Sequence, residues 1–307
     1  MNIVVIRQGA IGDSLLSFPV LSALRARYTN PHVTFIGNPN TLQLAKTWGI
    51  AEDVFNYEDR LWDEVFSSEG IQSANLRELF QQTDLVICWA TDRGNVVKPN
   101  LLRAGVKEVI IGPWCATVDA TKHMVEYLAE PLGLEVNATE YVVPSTGWSN
   151  GFLPYNPPIA IQPGSSAAAR CWPSASFAAV INKLLRLNYP VLLIAGPSED
   201  RILKEMRKHL SRPPKAEMLS VLQNAPLLEV AQRLQPCRYY LGNDSGIGHL
   251  AGMLGVPTLI LFGPTFSIAM PPVAMHPVGP RVEVIQEKSL SRLSPDRVIK
   301  HMLRRLS

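Results

Sequence analysis

Gly242-Asn243-Asp244-Ser245-Gly246-Ile247-Gly248-His249 gathers a carboxylate, a small hydroxyl, three glycines and a histidine in one short stretch. The apolar run Tyr239-Tyr240-Leu241 precedes it and Leu250-Ala251-Gly252-Met253-Leu254-Gly255 follows, so the order reads strand, tight glycine-rich turn, helix. Asp244 or Ser245 can cap that helix, and Gly255 can end it in a left-handed conformation. A helix opening from such a turn presents free N–H groups and the positive end of its dipole, which suit a phosphate. Gly246 lies at the opening and His249 in the first turn, where both can meet the same anion. The chemistry this favours is diphosphate binding. The same residues also make an ordinary capped turn of an α/β protein, and local physics leaves both readings open.

Three other stretches carry reactive side chains. Arg7-Gln8-Gly9-Ala10-Ile11-Gly12-Asp13-Ser14 follows the apolar strand Ile3-Val4-Val5-Ile6. It lacks the Gly-x-Gly-x-x-Gly of a dinucleotide turn and the Gly-Lys-Ser/Thr of a phosphate loop. Asp13, beside Gly12 at a helix start, is either a first-turn helix charge or a general base held by the turn. In Gln162-Pro163-Gly164-Ser165-Ser166-Ala167-Ala168-Ala169-Arg170-Cys171-Trp172-Pro173, Ser165 and Arg170 can hold a phosphate, the arginine by two parallel hydrogen bonds. The bland reading is a solvated loop, with Trp172-Pro173 packing ahead of a Ser174 cap. Cys171 reads as packing. His123 opens a helical stretch and reads as a capping histidine or an active one; Thr265, after Phe262-Gly263-Pro264, sits where a strand ends and a ligand can reach it.

The elements that must position these residues alternate. Strands are expected at Asn2–Arg7, His32–Gly37, Asp53–Tyr57, Asp84–Trp89 and Glu108–Gly112. Helices are expected over 13–28, 41–48, 96–105 and 121–133. Pro19 falls inside the first helix and costs it a hydrogen bond. The pattern lapses between Glu135 and Pro158, where Pro144 to Gly151 and Pro157-Pro158 read as a linker. Alternation resumes with strands at 159–162, 190–195, 238–241, 258–262 and 282–285. Helices are expected over 174–187, 199–210, 227–234, 247–254 and 295–306. Such alternation means parallel sheets with helices on both faces, an α/β chain of two Rossmann-like domains, residues 1–150 and 151–307, facing a central cleft.

Bulk properties bound the function. The net charge of +3, from 29 Lys+Arg against 26 Asp+Glu, does not suggest a nucleic-acid binder. The basic end (Lys300, His301, Arg304, Arg305) reads as a solvated helix face or as a peripheral contact with an anionic membrane surface. The four cysteines form no Cys-x-x-Cys pair, so neither a metal nor a disulfide framework is expected, and a reducing, cytoplasmic compartment fits. No apolar run approaches the roughly 20 residues that span a bilayer. The N-terminal run is short and lacks the basic leader of a secretory signal.

Together these stretches resemble a bacterial family, the ADP-heptose:lipopolysaccharide heptosyltransferases of glycosyltransferase family 9. The resemblance rests on Gly9-Ala10-Ile11-Gly12-Asp13 with Pro19 and on His123, Val125, Tyr127 and Leu128 before Leu132-Gly133. It rests also on Arg170-Cys171-Trp172-Pro173 and, most specifically, on Gly242 to Thr265, almost unbroken. It implies a GT-B fold and inverting sugar transfer from a nucleotide-diphosphate donor to a glycan or glycolipid acceptor, with no metal and no cofactor. Carried over by motif, Asp13 is the general base, with Gly12 and His123 on the acceptor side. Ser165, Arg170, Asp244, Ser245, Gly246, His249 and Thr265 line the donor site. Two departures bear on donor and acceptor identity: Phe266 to Pro272 lacks the polar, Asp-containing turn and tryptophan of the family, and Ala167-Ala168-Ala169 is bland for a substrate loop; Arg170 also stands where better-known members place a lysine. A nucleotide-sugar epimerase and a non-catalytic protein that keeps the pocket remain the alternatives.

Overall fold

The computed structural model describes residues 1–117, 119–143, 155–165, 170–213, 215–263 and 272–306. These form two compact units. The first holds Met1–Ala116 and Ala120–Ala138; the second holds Thr139–Val143 and the chain from residue 155 on. Both units are parallel sheets carrying helices.

In the first unit the chain runs β1 (Asn2–Arg7), α1 (Ile11–Arg27), β2 (His32–Gly37), α2 (Leu42–Thr47) and β3 (Asp53–Asn56). It continues through α3 (Ala74–Gln81), β4 (Leu85–Trp89), α4 (Val97–Arg103), β5 (Glu108–Ile111) and α5 (Met124–Ala129). The sheet order is β3-β2-β1-β4-β5, every pair parallel. Strands covered on both faces must be apolar throughout, and β1 and β4 nearly are: every residue from Ile3 to Arg7 and from Leu85 to Trp89 is buried, with Arg7 the one charge among them. Val4, Ile6, Val86 and Cys88 pack with Leu76, Phe80 and Leu101 in one core. Phe18 of α1 meets Phe35 and Trp48 edge to face, with ring centroids 5.9 and 6.1 Å apart.

The second unit runs β6 (Ile159–Gln162), α6 (Ser174–Arg186), β7 (Val191–Ala195), α7 (Asp200–Arg207), β8 (Leu219–Gln223) and α8 (Leu227–Leu234). It continues with β9 (Tyr239–Asn243), α9 (Gly246–Met253), β10 (Thr258–Phe262), α10 (Pro272–Met275), β11 (Val282–Gln286) and α11 (Pro295–Leu306). Its sheet order is β11-β10-β9-β6-β7-β8, again parallel. The terminal helix α11 sets Val298 and Met302 into the core of this unit, with Phe177 and Ile181 of α6.

The topology sets two turns in equivalent places. In the first unit the chain moves outward from β1 through β2 to β3, then returns to place β4 on the other side of β1. In the second it moves outward from β6 to β8, then returns to place β9 beside β6. At each reversal the loops leaving the two central strands diverge and open a crevice at their carboxyl ends. The β1–α1 turn and the β9–α9 turn lie at these two places.

Several sequence expectations shift. Gly242 and Asn243 belong to β9 rather than to the turn; Gly242 is there because a Cβ would collide with the Tyr240 hydroxyl. The first helix opens at Ile11, so Asp13 is its third residue. The stretch 121–133 becomes helical only at Met124, after the His123 cap, and its last turn, Glu130–Leu132, is a 3-10 turn. Ser174 is the first residue of α6, not its cap; Pro173 holds the cap position.

Candidate functional site

At the carboxyl end of β1, Gly9 turns the chain with φ at +134°, and α1 starts two residues later. Ala10 occupies the cap position and offers no side-chain oxygen. Asp13 compensates: its Oδ2 accepts a hydrogen bond from the Ala10 N–H at 2.8 Å, an anion in the first turn of a helix, where the dipole favours it. The Asp13 side chain is 28% exposed. Gly12 precedes it as the second residue of α1, half-buried.

Beneath this turn lies Arg7, fully buried at the end of an otherwise apolar strand. Its Nε donates to the Asp13 carbonyl at 3.1 Å, and its Nη1 donates to the carbonyls of Trp89 (3.3 Å) and Trp114 (2.7 Å). Its Nη2 lies 3.7 Å from Asp13 Oδ1. Burial pulls the Arg7 pKa down, while Asp13 and Cys115 oppose that pull. Gln8 completes the junction with β4: its N–H donates to the Trp89 carbonyl and its Oε1 accepts from the Thr91 N–H.

His123 is buried at the cap of α5. Its Nδ1 accepts from the Val125 N–H at 3.3 Å, and its own N–H donates to Glu126 Oε1 at 3.2 Å. This reciprocal pair fills the orphan donors of the helix start, so the observed bonds are those of a cap.

In the second unit, Ser245 caps α9. Its Oγ accepts from the Gly248 N–H at 3.3 Å and is hydrogen-bonded to the Gln162 side-chain amide at 2.9 Å. Gly246 and Gly248 leave two positions of the first turn without side chains, and His249 is buried. Asn243, fully buried, sews the neighbouring loop to this turn: its Oδ1 accepts from the Trp172 N–H (2.9 Å) and its Nδ2 donates to the Pro163 carbonyl (2.7 Å). The Ser165 hydroxyl donates to the Asp244 carbonyl at 2.8 Å. Arg170 Nη1 donates to Asp244 Oδ2 at 3.1 Å, with the arginine side chain 30% and the aspartate side chain 14% exposed. Trp172 is buried against Phe177, with ring centroids 5.0 Å apart, and its indole N–H donates to the Leu293 carbonyl.

Ser165, Arg170, Asp244, Ser245, Gly246 and His249 therefore meet at one sheet edge. Thr265 and the stretches Ser166–Ala169 and Pro264–Pro271 lie outside the described residues. The sequence reading missed Arg7, Gln162 and Asn243. The available signal was a polar side chain closing each apolar strand, the position that faces a crevice in a parallel sheet. Cys115 and Cys171 both have thiol pKa values pushed up, chiefly by burial, so neither is a ready thiolate. Among the described residues, no group of three or more His, Cys, Asp or Glu is gathered to hold a metal, and no helix is long and apolar enough to cross a membrane.

Comparison with known proteins bears on this arrangement. The family described as "Glycosyltransferase family 9 (heptosyltransferase)" matches residues 129–298. Lipopolysaccharide heptosyltransferase 3 of Escherichia coli is 28% identical over 109 residues, 35% of this chain and 31% of that protein. Sequence matches to the first relatives span 31%, 34% and 47% of their lengths. In structure, E. coli ADP-heptose lps heptosyltransferase II aligns over 100% of this chain and 98% of its own, with TM-score 0.78 and 19% identity. E. coli heptosyltransferase WaaC with ADP aligns over 99% and 100%, with TM-score 0.73 and 18% identity. The fold is thus that of the GT-B proteins, two Rossmann-like units, as the sequence pattern implied.

Proposed function

The chain belongs to glycosyltransferase family 9, and on that premise we propose that it is an inverting transferase. It moves a heptose-type sugar from an ADP-linked donor to a lipopolysaccharide-type glycan acceptor, on the cytoplasmic side of the membrane, without a metal or cofactor. The basic face of α11 gives such an enzyme a means of peripheral contact with that membrane surface.

The observation that carries the reading is the knitted edge of the second unit: the open start of α9 beside Arg170, braced by Asn243, Ser165 and Ser245. A leaving diphosphate gains negative charge as the anomeric bond breaks. Fixed N–H groups and a guanidinium already in place stabilise that charge with no reorganisation. Arg170 engages Asp244 through Nη1, and a guanidinium carries its N–H donors in one rigid plane, a fork that matches phosphate oxygens. Asp244 then aims the arginine rather than touching the anion, and Gly246 and Ser245 border the phosphates. The residues of 1–150 serve the acceptor and those of 151–307 the donor.

At the first unit, Asp13 acts as general base. The acceptor hydroxyl gives its proton to the carboxylate while its oxygen bonds to the anomeric carbon. The bond from that carbon to the diphosphate oxygen breaks, and ADP leaves with the electron pair. Attack from the side opposite the leaving group inverts the anomeric centre. Support for the base lies in its hydrogen bond from Ala10 and its exposed remaining surface.

The test begins with calorimetry of ADP, GDP, UDP and dTDP, with and without Mg²⁺. Binding of ADP alone, unchanged by EDTA, followed by ADP release from ADP-heptose only when heptose-free lipopolysaccharide core is present, is the expected result. Binding of a different diphosphate would reassign the donor. Donor turnover without acceptor, yielding an epimerised sugar, would replace the transferase reading.

A further inference from the structure

A buried arginine ends β1, and its placement is costly. A charge removed from water needs compensation, and an ion pair in the interior is often no more stable than apolar residues of the same volume. β1 is otherwise Ile3-Val4-Val5-Ile6, so an apolar side chain would continue the pattern. Three carbonyls partly satisfy the guanidinium, and each comes from a different segment at the carboxyl end of the sheet: Asp13 in the first turn of α1, Trp89 at the end of β4 and Trp114 after β5. Nη2 is buried and makes no hydrogen bond. Its nearest charged neighbour is Asp13 Oδ1 at 3.7 Å, and among the described residues Asp13 is the one carboxylate within ion-pair reach of Arg7. Gly9, on the far side, leaves room for Asp13 alone: a Cβ there would stand 2.6 to 2.8 Å from its side chain.

We propose that Arg7 is the positioning residue of the transfer reaction, clamping the backbone and the carboxylate of Asp13 from inside the sheet. The Ala10 N–H addresses Oδ2 and Arg7 faces Oδ1, so the carboxylate is held from the protein side and meets the acceptor with its exposed surface. The inference rests on the reading of Asp13 as the base. Arg7 touches neither acceptor nor donor; it acts through Asp13.

A double-mutant cycle tests it, with ADP-heptose and heptose-free lipopolysaccharide core as substrates and ADP release as the readout. Arg7→Met should lower kcat about 10²-fold, the effect of a small misplacement of a catalytic group, with acceptor KM and ADP binding unchanged. In the Asp13→Asn background the same change should cost nothing further, because the group it positions is already disabled. Arg7→Lys covers the case in which Arg7→Met fails to fold. It should melt near the wild type and lose about tenfold in kcat, since one ammonium cannot serve four partners in fixed directions, and that loss too should vanish beside Asp13→Asn. Losses that multiply with those of Asp13→Asn, or wild-type kcat in both Arg7 variants, would overturn the inference and leave the base intact. Wild-type transfer by Asp13→Asn would overturn the base and this inference together.

Discussion

The β1–α1 turn and the β9–α9 turn occupy equivalent places, each opening a helix where its sheet reverses. They are built to opposite ends. The first has alanine at the cap position and lets Asp13, inside the helix, satisfy the Ala10 N–H. The second puts Ser245 at the cap and follows it with Gly246 and Gly248, so two of the first three residues of the helix carry no side chain. The charges invert as well. A buried arginine lies behind a partly exposed aspartate at the first turn, and a partly exposed arginine leans on a largely buried aspartate at the second. One topology therefore carries an exposed carboxylate in one unit and a glycine-lined helix start in the other, which the proposed reaction uses as proton acceptor and anion site.

The sharpest way to break this comparison is Asp13→Asn. The amide oxygen can still accept from Ala10, so the helix start survives while the base is lost. Transfer should fall by about 10²- to 10⁴-fold, with ADP binding by calorimetry unchanged. A variant that keeps full activity but melts earlier would make Asp13 a helix-stabilising charge and erase the contrast between the turns. Gly9→Ala comes next. Its φ of +134° strains any side chain, and its Cβ would press on Asp13. The expected loss in kcat is about 10²-fold. Its counterpart Gly248→Ala meets only the Cδ1 of Ile260, the movable end of a side chain, at close range. That variant should fold and keep kcat, and any loss should appear in ADP affinity. If Gly9→Ala instead weakened ADP binding, the division of labour between the turns would fail.

Arg170→Ala should weaken ADP binding by about 10- to 100-fold, the worth of a hydrogen bond to a charged group. Arg170→Lys should recover only part of this, since a lysine cannot hold Asp244 and a phosphate oxygen in one plane. Equal binding by Arg170→Ala and the wild type, measured by calorimetry, would leave the helix start as the whole anion site.

The sequence made the two turns legible because glycine, aspartate and serine between an apolar run and a helical stretch mark a strand-to-helix junction. The inner strands were legible for the same kind of reason: buried on both faces, β1, β2, β4, β6, β7, β9 and β10 are largely continuous apolar runs. The edge strand β8 was not. Only Leu222 of Leu219–Gln223 is buried, and Ser220 and Gln223 break the apolar signal. Helix α3 escaped too, since Leu76 and Phe80 are its buried residues and one pair is a faint periodicity. The supports of the sites were hidden more deeply. Arg7, Asn243 and Gln162 act by reaching backbone or side-chain groups of neighbouring loops, Asn243 and Gln162 across 71 to 83 positions of sequence. No local pattern encodes such a partner.

The smallest effects are also the most direct probe of why the caps differ. Ser245→Ala removes the side-chain acceptor of the Gly248 N–H and a bond to Gln162. The helix should lose about 0.5–2 kcal/mol, seen as a drop of a few degrees in Tm. The Gly248 N–H keeps its bond to the Ser245 carbonyl at 3.1 Å, so the helix start stays in place and ADP affinity should change less than stability does. The mirror substitution, Ala10→Ser, supplies the first turn with the oxygen it lacks. Ala10 is exposed and its backbone is already extended as a cap requires, so the variant should gain about 0.5–1 kcal/mol. Because Asp13 accepts from the Ala10 N–H and not from its side chain, transfer should persist. An Ala10→Ser protein that is more stable but slower would show that the missing cap matters for activity: the new hydroxyl would be competing for the groups that hold the carboxylate.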